Sequence, residues 1–326
     1  MLFNSNKKYN YKLFLAQEIS GIKKNIFYAE NNHNIKPIIN LISKLKLTAS
    51  IQESDFVLVP HPWISIFKNK SYLAYLKELS GEKPLLIANT DDISPTCNFH
   101  NTLELRTFLH PKENKYRKII IPYPAMQKKS VIRSWKKKPT ISFIGFVPNL
   151  SFGSLTSASR SFLRSPISSS VYLNRKIGVL KLKKLNSDFI INVIERKSFT
   201  LQTSNLNLTR DIKEYDDNLS LSDYILCPRG FGNVSIRFYE TISSGATPVL
   251  IDSGSELPIV SNSFFWENNI IKVKLFEAWG EKILEDWESL SLSDNYLIRQ
   301  NENINIFGRE LDLQKYLESV FFNYLY

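Results

Sequence analysis

The sequence predicts an α/β protein of two Rossmann-like domains. Three observations predict it. Apolar runs of strand length alternate with helix-length amphipathic segments along the chain, the rhythm of a parallel sheet with helices on both faces. A lysine-rich stretch ending at Pro139 interrupts that rhythm, and a strand-like run over residues 140–146 restarts it. The chain has 326 residues, 43% hydrophobic and 13% aromatic, which is long for one core and ample for two. The expected domains are residues 1–135 and 136–326.

In the first half, residues 11–16 read as a strand and 36–45 as an amphipathic helix. Residues 55–60 form a buried strand stopped by Pro60, with His61, Pro62 and Trp63 after it. A helix over 71–79 closes near Gly81, and a strand over 84–88 runs into Asn89, Thr90, Asp91 and Asp92. A third strand, 119–121, is stopped by Pro122 and Pro124. If these strands are parallel, His61 and the Asp91/Asp92 pair emerge at one carboxyl edge, where open α/β sheets keep their sites. Each also has an ordinary reading: the aspartates as caps or turn formers, His61 as a packed side chain beside Pro62.

In the second half, Gly145 closes the 140–146 strand and lets the chain pass close to a ligand. Residues 151–170 are serine-rich and read as a loop, with a helix candidate over 171–185 carrying Arg175 and Lys176. Strands follow at 189–193 and 270–275, and helices at 278–290, 295–306 and 309–326. The last is apolar at Leu313, Tyr316, Leu317, Val320 and Phe321, so it can pack back on the first domain.

Residues 223–252, DYILCPRGFGNVSIRFYETISSGATPVLID, organise the rest. Tyr224 to Cys227 make a strand that Pro228 stops; Gly230 and Gly232 free the turn; a helix from about Asn233 ends at Gly245; and residues 247–251 make the next strand. Such a unit sets a helix N-terminus beyond a strand's carboxyl edge, where phosphates bind. At 100° per residue, Arg237, Glu240, Thr241 and Ser244 share one stripe, with Phe238, Tyr239 and Ile242 opposite, ready to pack on a sheet. The stripe is either a solvated face with an ordinary Arg237–Glu240 pair, or the lining of a ligand site. In the second case Arg229 and Arg237 neutralise a diphosphate and Glu240 accepts hydrogen bonds from a ribose diol.

This segment resembles the donor-binding segment of exostosin-type glycosyltransferases (the GT47 type). Cys227, Pro228, Arg229, Gly230, Gly232, Ser235, Arg237, Glu240, Gly245, Pro248 and Val249 stand at matching positions, with Ala246 where many members carry Cys. The detailed match covers about a tenth of the chain. The resemblance implies a GT-B fold, two Rossmann-like domains facing across a cleft. It also implies inverting transfer of a sugar from a nucleotide-sugar donor, expected to be a UDP-sugar, to a glycan or lipid-linked acceptor. Arg229, Gly230, Gly232, Asn233, Ser235, Arg237, Glu240 and Gly145 are the expected donor site. Arg175 is a third diphosphate candidate, because members carry an Arg at about this point. The catalytic base is expected among Asp91, Asp92 and His61. Thr90–Asp91 stands where the family usually has His–Asp. Two alternatives are an inactive nucleotide- or carbohydrate-binding protein of the same fold and a fucosyltransferase-like GT-B enzyme.

Composition narrows the rest. Cys97 and Cys227 form no metal spacing and read as reduced thiols, and the four histidines show no zinc pattern. No Asp-x-Asp lies near the donor unit, so no metal cofactor is expected and arginines are expected to stabilise the leaving group. No run reaches the ~18 apolar residues of a spanning helix, and the polar start lacks a signal-peptide core, so a cytoplasmic chain is expected. The net charge of +11 comes with no nucleic-acid motif. Its densest cluster, Lys128, Lys129, Arg133, Lys136, Lys137 and Lys138, reads as a solvated inter-domain linker, with peripheral contact to an anionic membrane as the second reading.

Overall fold

The computed structural model describes residues 12–17, 20, 46–90, 97, 99–109, 117–148, 166–196, 205–230, 232–233, 235–263, 265–291 and 294–323. The chain divides into two units. One comprises Met1–Met126, Gly254–Ser261 and Arg309–Tyr326, the other Gln127–Ser253 and Asn262–Gly308. The first change of unit therefore falls at residue 126, ahead of the lysine-rich stretch.

The first unit holds strands β1 (Lys12–Leu15), β2 (Lys46–Thr48), β3 (Phe56–Leu58), β4 (Leu85–Asn89), β5 (Thr102–Arg106) and β6 (Lys118–Ile120). They form one parallel sheet in the order β2-β1-β3-β4-β5-β6. Strand alternation sorts its side chains into two cores. Leu86 and Ala88 face Leu13, Leu58, Leu105 and Ile121, and there Leu313, Tyr316 and Leu317 of the terminal helix (Leu313–Asn323) complete the layer. Leu85 and Ile87 face the other way, onto Trp63 and Ile66 of α1 (Trp63–Ile66) and Tyr72 and Leu76 of α2 (Lys70–Glu82). Asn69 caps α2 by accepting from the Tyr72 N–H at 3.1 Å.

The second unit holds β7 (Thr140–Phe146), β8 (Ile190–Arg196), β9 (Tyr224–Cys227), β10 (Thr247–Ile251) and β11 (Ile271–Val273), parallel and in the order β11-β10-β9-β7-β8. Its helices are α3 (Pro166–Lys183), α4 (Asn205–Leu221), α5 (Ile236–Ser243), α6 (Phe265–Asn269), α7 (Trp279–Ser289) and α8 (Asn295–Ile306). A π-helical turn, Phe307–Leu311, leads to the terminal helix, α9. Ile141, Phe143, Tyr224, Leu226, Val249 and Ile251 meet Trp279, Ile283 and Trp287 of α7 in one core. The parallel α/β expectation holds in both units.

Three sequence readings need correction or placing. The lysine-rich stretch is not a free linker. Arg133 lies 3.8 Å from Asp223, and its backbone is bracketed by the Gln300 amide at 2.8 Å on both sides. Lys136 reaches Asp223 at 3.0 Å, Lys128 reaches Asp216 at 3.1 Å, and Trp135 stacks on Trp287 at 5.8 Å. The reason is Asp223, fully buried beside β9, which also accepts from the Thr140 N–H at 2.6 Å and the Tyr296 hydroxyl at 2.5 Å. A buried carboxylate needs cations and donors, and this stretch supplies the cations. Residues 166–170, expected as loop, already belong to α3. The expected helix over 36–45 and the serine-rich residues 151–165 lie outside the described residues.

Candidate functional site

The strand–turn–helix–strand unit forms as read: β9, a turn through Pro228 and Gly232, then α5 and β10. Phe231 and Val234 of that turn lie outside the described residues. Gly245 ends the helix at φ 81°, the left-handed conformation that favours glycine. The polar stripe of α5 is not a solvated face. Glu240 is 7% exposed and Thr241 and Ser244 are fully buried, like Phe238, Tyr239 and Ile242 on the other side. Arg237 and Glu240 form no ion pair with each other; each looks to a different neighbour.

Arg237 turns toward β7. Its guanidinium donates to the Ile144 carbonyl and lies over the Phe143 ring at 4.7 Å and the Tyr215 ring at 5.9 Å. Gly145 makes room for it. The residue sits at φ 150°, and a Cβ there would come within 2.6 Å of the Arg237 Nη2. Arg175 of α3 reaches the same strand end, donating to the Phe146 carbonyl and to the Arg229 carbonyl, both at 3.3 Å. Burial first, and the Arg237 charge second, pull the Arg175 guanidinium down from its ordinary range to about 10. Among the described residues neither Arg175 nor Arg237 has a carboxylate partner, and each keeps a buried Nε without an acceptor. Two cations held near each other by backbone carbonyls at a parallel sheet's carboxyl edge have the charge and the donors that an anion would need.

The remaining expected donor residues lie in the turn between β9 and α5, where the Arg229 carbonyl accepts from Arg175. Arg229 is 8% exposed, with its Nε 3.5 Å from the Gly230 carbonyl. Gly232 is buried, and the Asn233 amide donates to the Ser253 carbonyl at 3.2 Å. Ser235 is the N-cap residue of α5, extended at φ −126° and ψ 122°, and its side chain makes no cap hydrogen bond.

Glu240 is already paired within the protein. One carboxylate oxygen accepts from the Tyr215 hydroxyl at 2.5 Å, and the other lies 3.5 Å from Lys128 Nζ. Burial, then the nearby Glu240 charge, push the Tyr215 phenol well above its ordinary range, so it stays a donor. Lys128 also lies over the Tyr215 ring at 5.2 Å. Tyr215 and Lys128 are the two site residues that sequence reasoning missed. Tyr215 sits on α4, whose packing against β7 runs through polar groups, Ser142 to Asn218 at 2.9 Å and Ser222 to Ser142 at 2.7 Å.

The three base candidates lie in the first unit. His61 follows β3, is 1% exposed, and sets its ring edge against Tyr72 at 5.9 Å. In this structure the imidazole is a packed side chain and not one open to an incoming hydroxyl. Asp91 and Asp92 lie outside the described residues, just beyond β4, which pairs in parallel with β3. Cys227 is fully buried, and burial pushes its thiol up to about 12; the Cys97 thiol is pushed up to about 11 for the same reason. Both are free, and neither is a nucleophile at neutral pH. Among the described residues no cluster of three His, Cys, Asp or Glu could hold a metal, and no helix is long and apolar enough to cross a membrane. A shallow hollow of about 250 Å³ lies elsewhere, between β8 and α4, lined by Asn192, Ile194, Lys213 and Asn218.

No family model matches the chain, and no curated protein matches it. Among solved structures it is similar to TarM at 12% identity over 98% of this chain and 52% of that one, with a TM-score of 0.36. It is similar to WaaG, described as a glycosyltransferase involved in lipopolysaccharide biosynthesis, at 9% identity over 96% and 100%, with a TM-score of 0.40. CalG4, the calicheamicin glycosyltransferase, gives 9% identity over 82% and 74%, with a TM-score of 0.33. The chain thus spans about half the length of TarM. At these identities and scores the likenesses assign it no activity, donor or acceptor.

Proposed function

We propose that the protein is a GT-B glycosyltransferase of exostosin type that moves a sugar from a nucleotide-sugar donor to a glycan or lipid-linked acceptor. The observation that carries the proposal is the Arg175–Arg237 pair, two guanidiniums at the carboxyl edge of β7 and β9 with no carboxylate partner among the described residues. A nucleoside diphosphate supplies the missing negative charge. Arg229 supplies a third positive charge. In an inverting step the acceptor hydroxyl oxygen bonds to the anomeric carbon as the bond to the diphosphate oxygen breaks. The leaving pair of electrons stays on the diphosphate, where the arginines stabilise it, and the hydroxyl proton passes to a base. Asp91 and Asp92 are the proposed bases; the packed position of His61 argues against it. The donor's ribose takes the Lys128 side of Glu240, the longer of that carboxylate's two contacts.

The test is calorimetric titration of the protein with uridine, UMP, UDP and GDP, with and without a chelator. Binding should strengthen from nucleoside to monophosphate to diphosphate and survive chelation, because the charge comes from arginine. Slow release of UDP from a UDP-sugar in the absence of acceptor should accompany it. Equal affinity for uridine and UDP, or none for any nucleotide, refutes the proposal.

A further inference from the structure

Residues 128–138 present an exposed set of side chains unlike the set they turn inward. Inward go Lys128, Arg133 and Lys136, each neutralised by Asp216, Glu240 or Asp223. Outward go Lys129, Lys137 and Lys138, none of which has an ion-pair partner among the described residues, together with Ile132 and Trp135, 49% and 42% exposed. The segment is without regular secondary structure yet firmly held. The Trp287 indole donates to the Lys136 carbonyl at 3.0 Å, Trp135 stacks on Trp287, and Gln300 clamps Arg133. A pinned strap that leaves a large aliphatic and part of an indole exposed, flanked by lysines with no ion-pair partner among the described residues, has the chemistry of an interfacial anchor. Tryptophan favours the headgroup level of a bilayer, and lysines are drawn to an anionic leaflet.

We propose that this strap docks the second unit on an anionic membrane surface, with Lys129, Lys137 and Lys138 on the lipid headgroups and Ile132 and Trp135 at the boundary with the acyl chains. The occupant is fixed by charge complementarity joined to exposed apolar groups. Phosphate charge alone, as on a nucleic acid, leaves Ile132 and Trp135 without a partner. The site does not depend on the glycosyl-transfer reading and survives its failure.

The experiment is flotation of the full-length protein with phosphatidylcholine vesicles, with and without phosphatidylglycerol. The protein should float with the anionic vesicles only. Each lysine near such a surface strengthens binding about fivefold, so the triple variant Lys129→Gln, Lys137→Gln, Lys138→Gln should lose roughly a hundredfold. A second triple, Lys70→Gln, Lys77→Gln, Lys184→Gln, makes the same change in net charge at exposed positions elsewhere and should bind as the parent does. Ile132→Ser should weaken binding by a factor that persists at high salt, since it reports apolar insertion. Equal losses in the two triples, parental binding by the strap triple, no flotation of the parent, or a tighter salt-dependent shift with duplex DNA that the strap triple abolishes would each overturn the proposal.

Discussion

Replacing Arg175 by methionine should separate stability from binding. The residue carries a charge that burial and Arg237 oppose, and the fall of its guanidinium to about 10 corresponds to roughly 3 kcal/mol of unfavourable charge at neutral pH. Against that stand its hydrogen bonds to the Phe146 and Arg229 carbonyls, both 3.3 Å, worth about 1 kcal/mol each. Methionine keeps most of the stem and removes the charge, so the variant should be about 1 kcal/mol more stable in urea unfolding at pH 7. The sign follows from linkage. The folded state gives up the Arg175 proton more readily than the unfolded state, so the penalty is complete below about 10 and is relieved only above it. The gain should therefore be flat from pH 6 to pH 9. The same variant should bind UDP more weakly, by about 1.5–3 kcal/mol for a lost charged hydrogen bond, roughly tenfold or more. A variant that is less stable than the parent and binds UDP equally well would refute the idea that Arg175 is held under charge repulsion for a ligand.

The other expectations are simpler. Tyr215→Phe removes the donor to a buried Glu240 oxygen, so it should lower stability by about 1–3 kcal/mol and weaken nucleotide binding in the same titration. Gly145→Ala puts a methyl group 2.6 Å from the Arg237 Nη2 at a φ that L residues rarely adopt; UDP affinity should fall while far-ultraviolet circular dichroism stays unchanged. Asp223→Ala strands Lys136 and Arg133 and unties β7 from its loop, for a loss of about 3–5 kcal/mol by urea unfolding. Iodoacetamide at pH 7.5 should leave both cysteines unmodified until denaturant is added, because thiols raised to about 11 and about 12 hold almost no thiolate below pH 9.

What could be read in the sequence, and what could not, follows from where the polar groups went. Strands whose side chains are apolar on both faces, such as β4 and β9, declared themselves. So did α5, because its ends carry turn and cap chemistry. β5 was missed because Glu104 and Arg106 alternate with leucines in a pattern that reads as half-solvated. In the structure both charges are buried, 3.1 Å apart, with Asn89 donating to the same Glu104 oxygen. α4 was missed although Leu208, Ile212, Tyr215 and Leu219 recur at helical spacing, because Asp, Glu, Lys and Asn crowd the positions between them and one of these, Asn218, is buried. A one-dimensional pattern assigns polar residues to water, and it fails wherever polar groups satisfy one another inside.

The same failure separates the expected donor residues from their supports. Arg237 and Glu240 were legible as a stripe, but their neighbours decide what the stripe does. Glu240 without Tyr215 and Lys128 would be an unpaired buried carboxylate, and with them it is a neutralised anchor. Among the described residues Arg175 and Arg237 have no such neutraliser. Within one cluster, then, Glu240 and Lys128 compensate each other, while Arg175 and Arg237 are left without a carboxylate among the described residues. An assembly meant only for stability has no reason to leave that imbalance, since each uncompensated buried cation costs free energy. An assembly that waits for an anion does, because the cost is recovered when the anion binds.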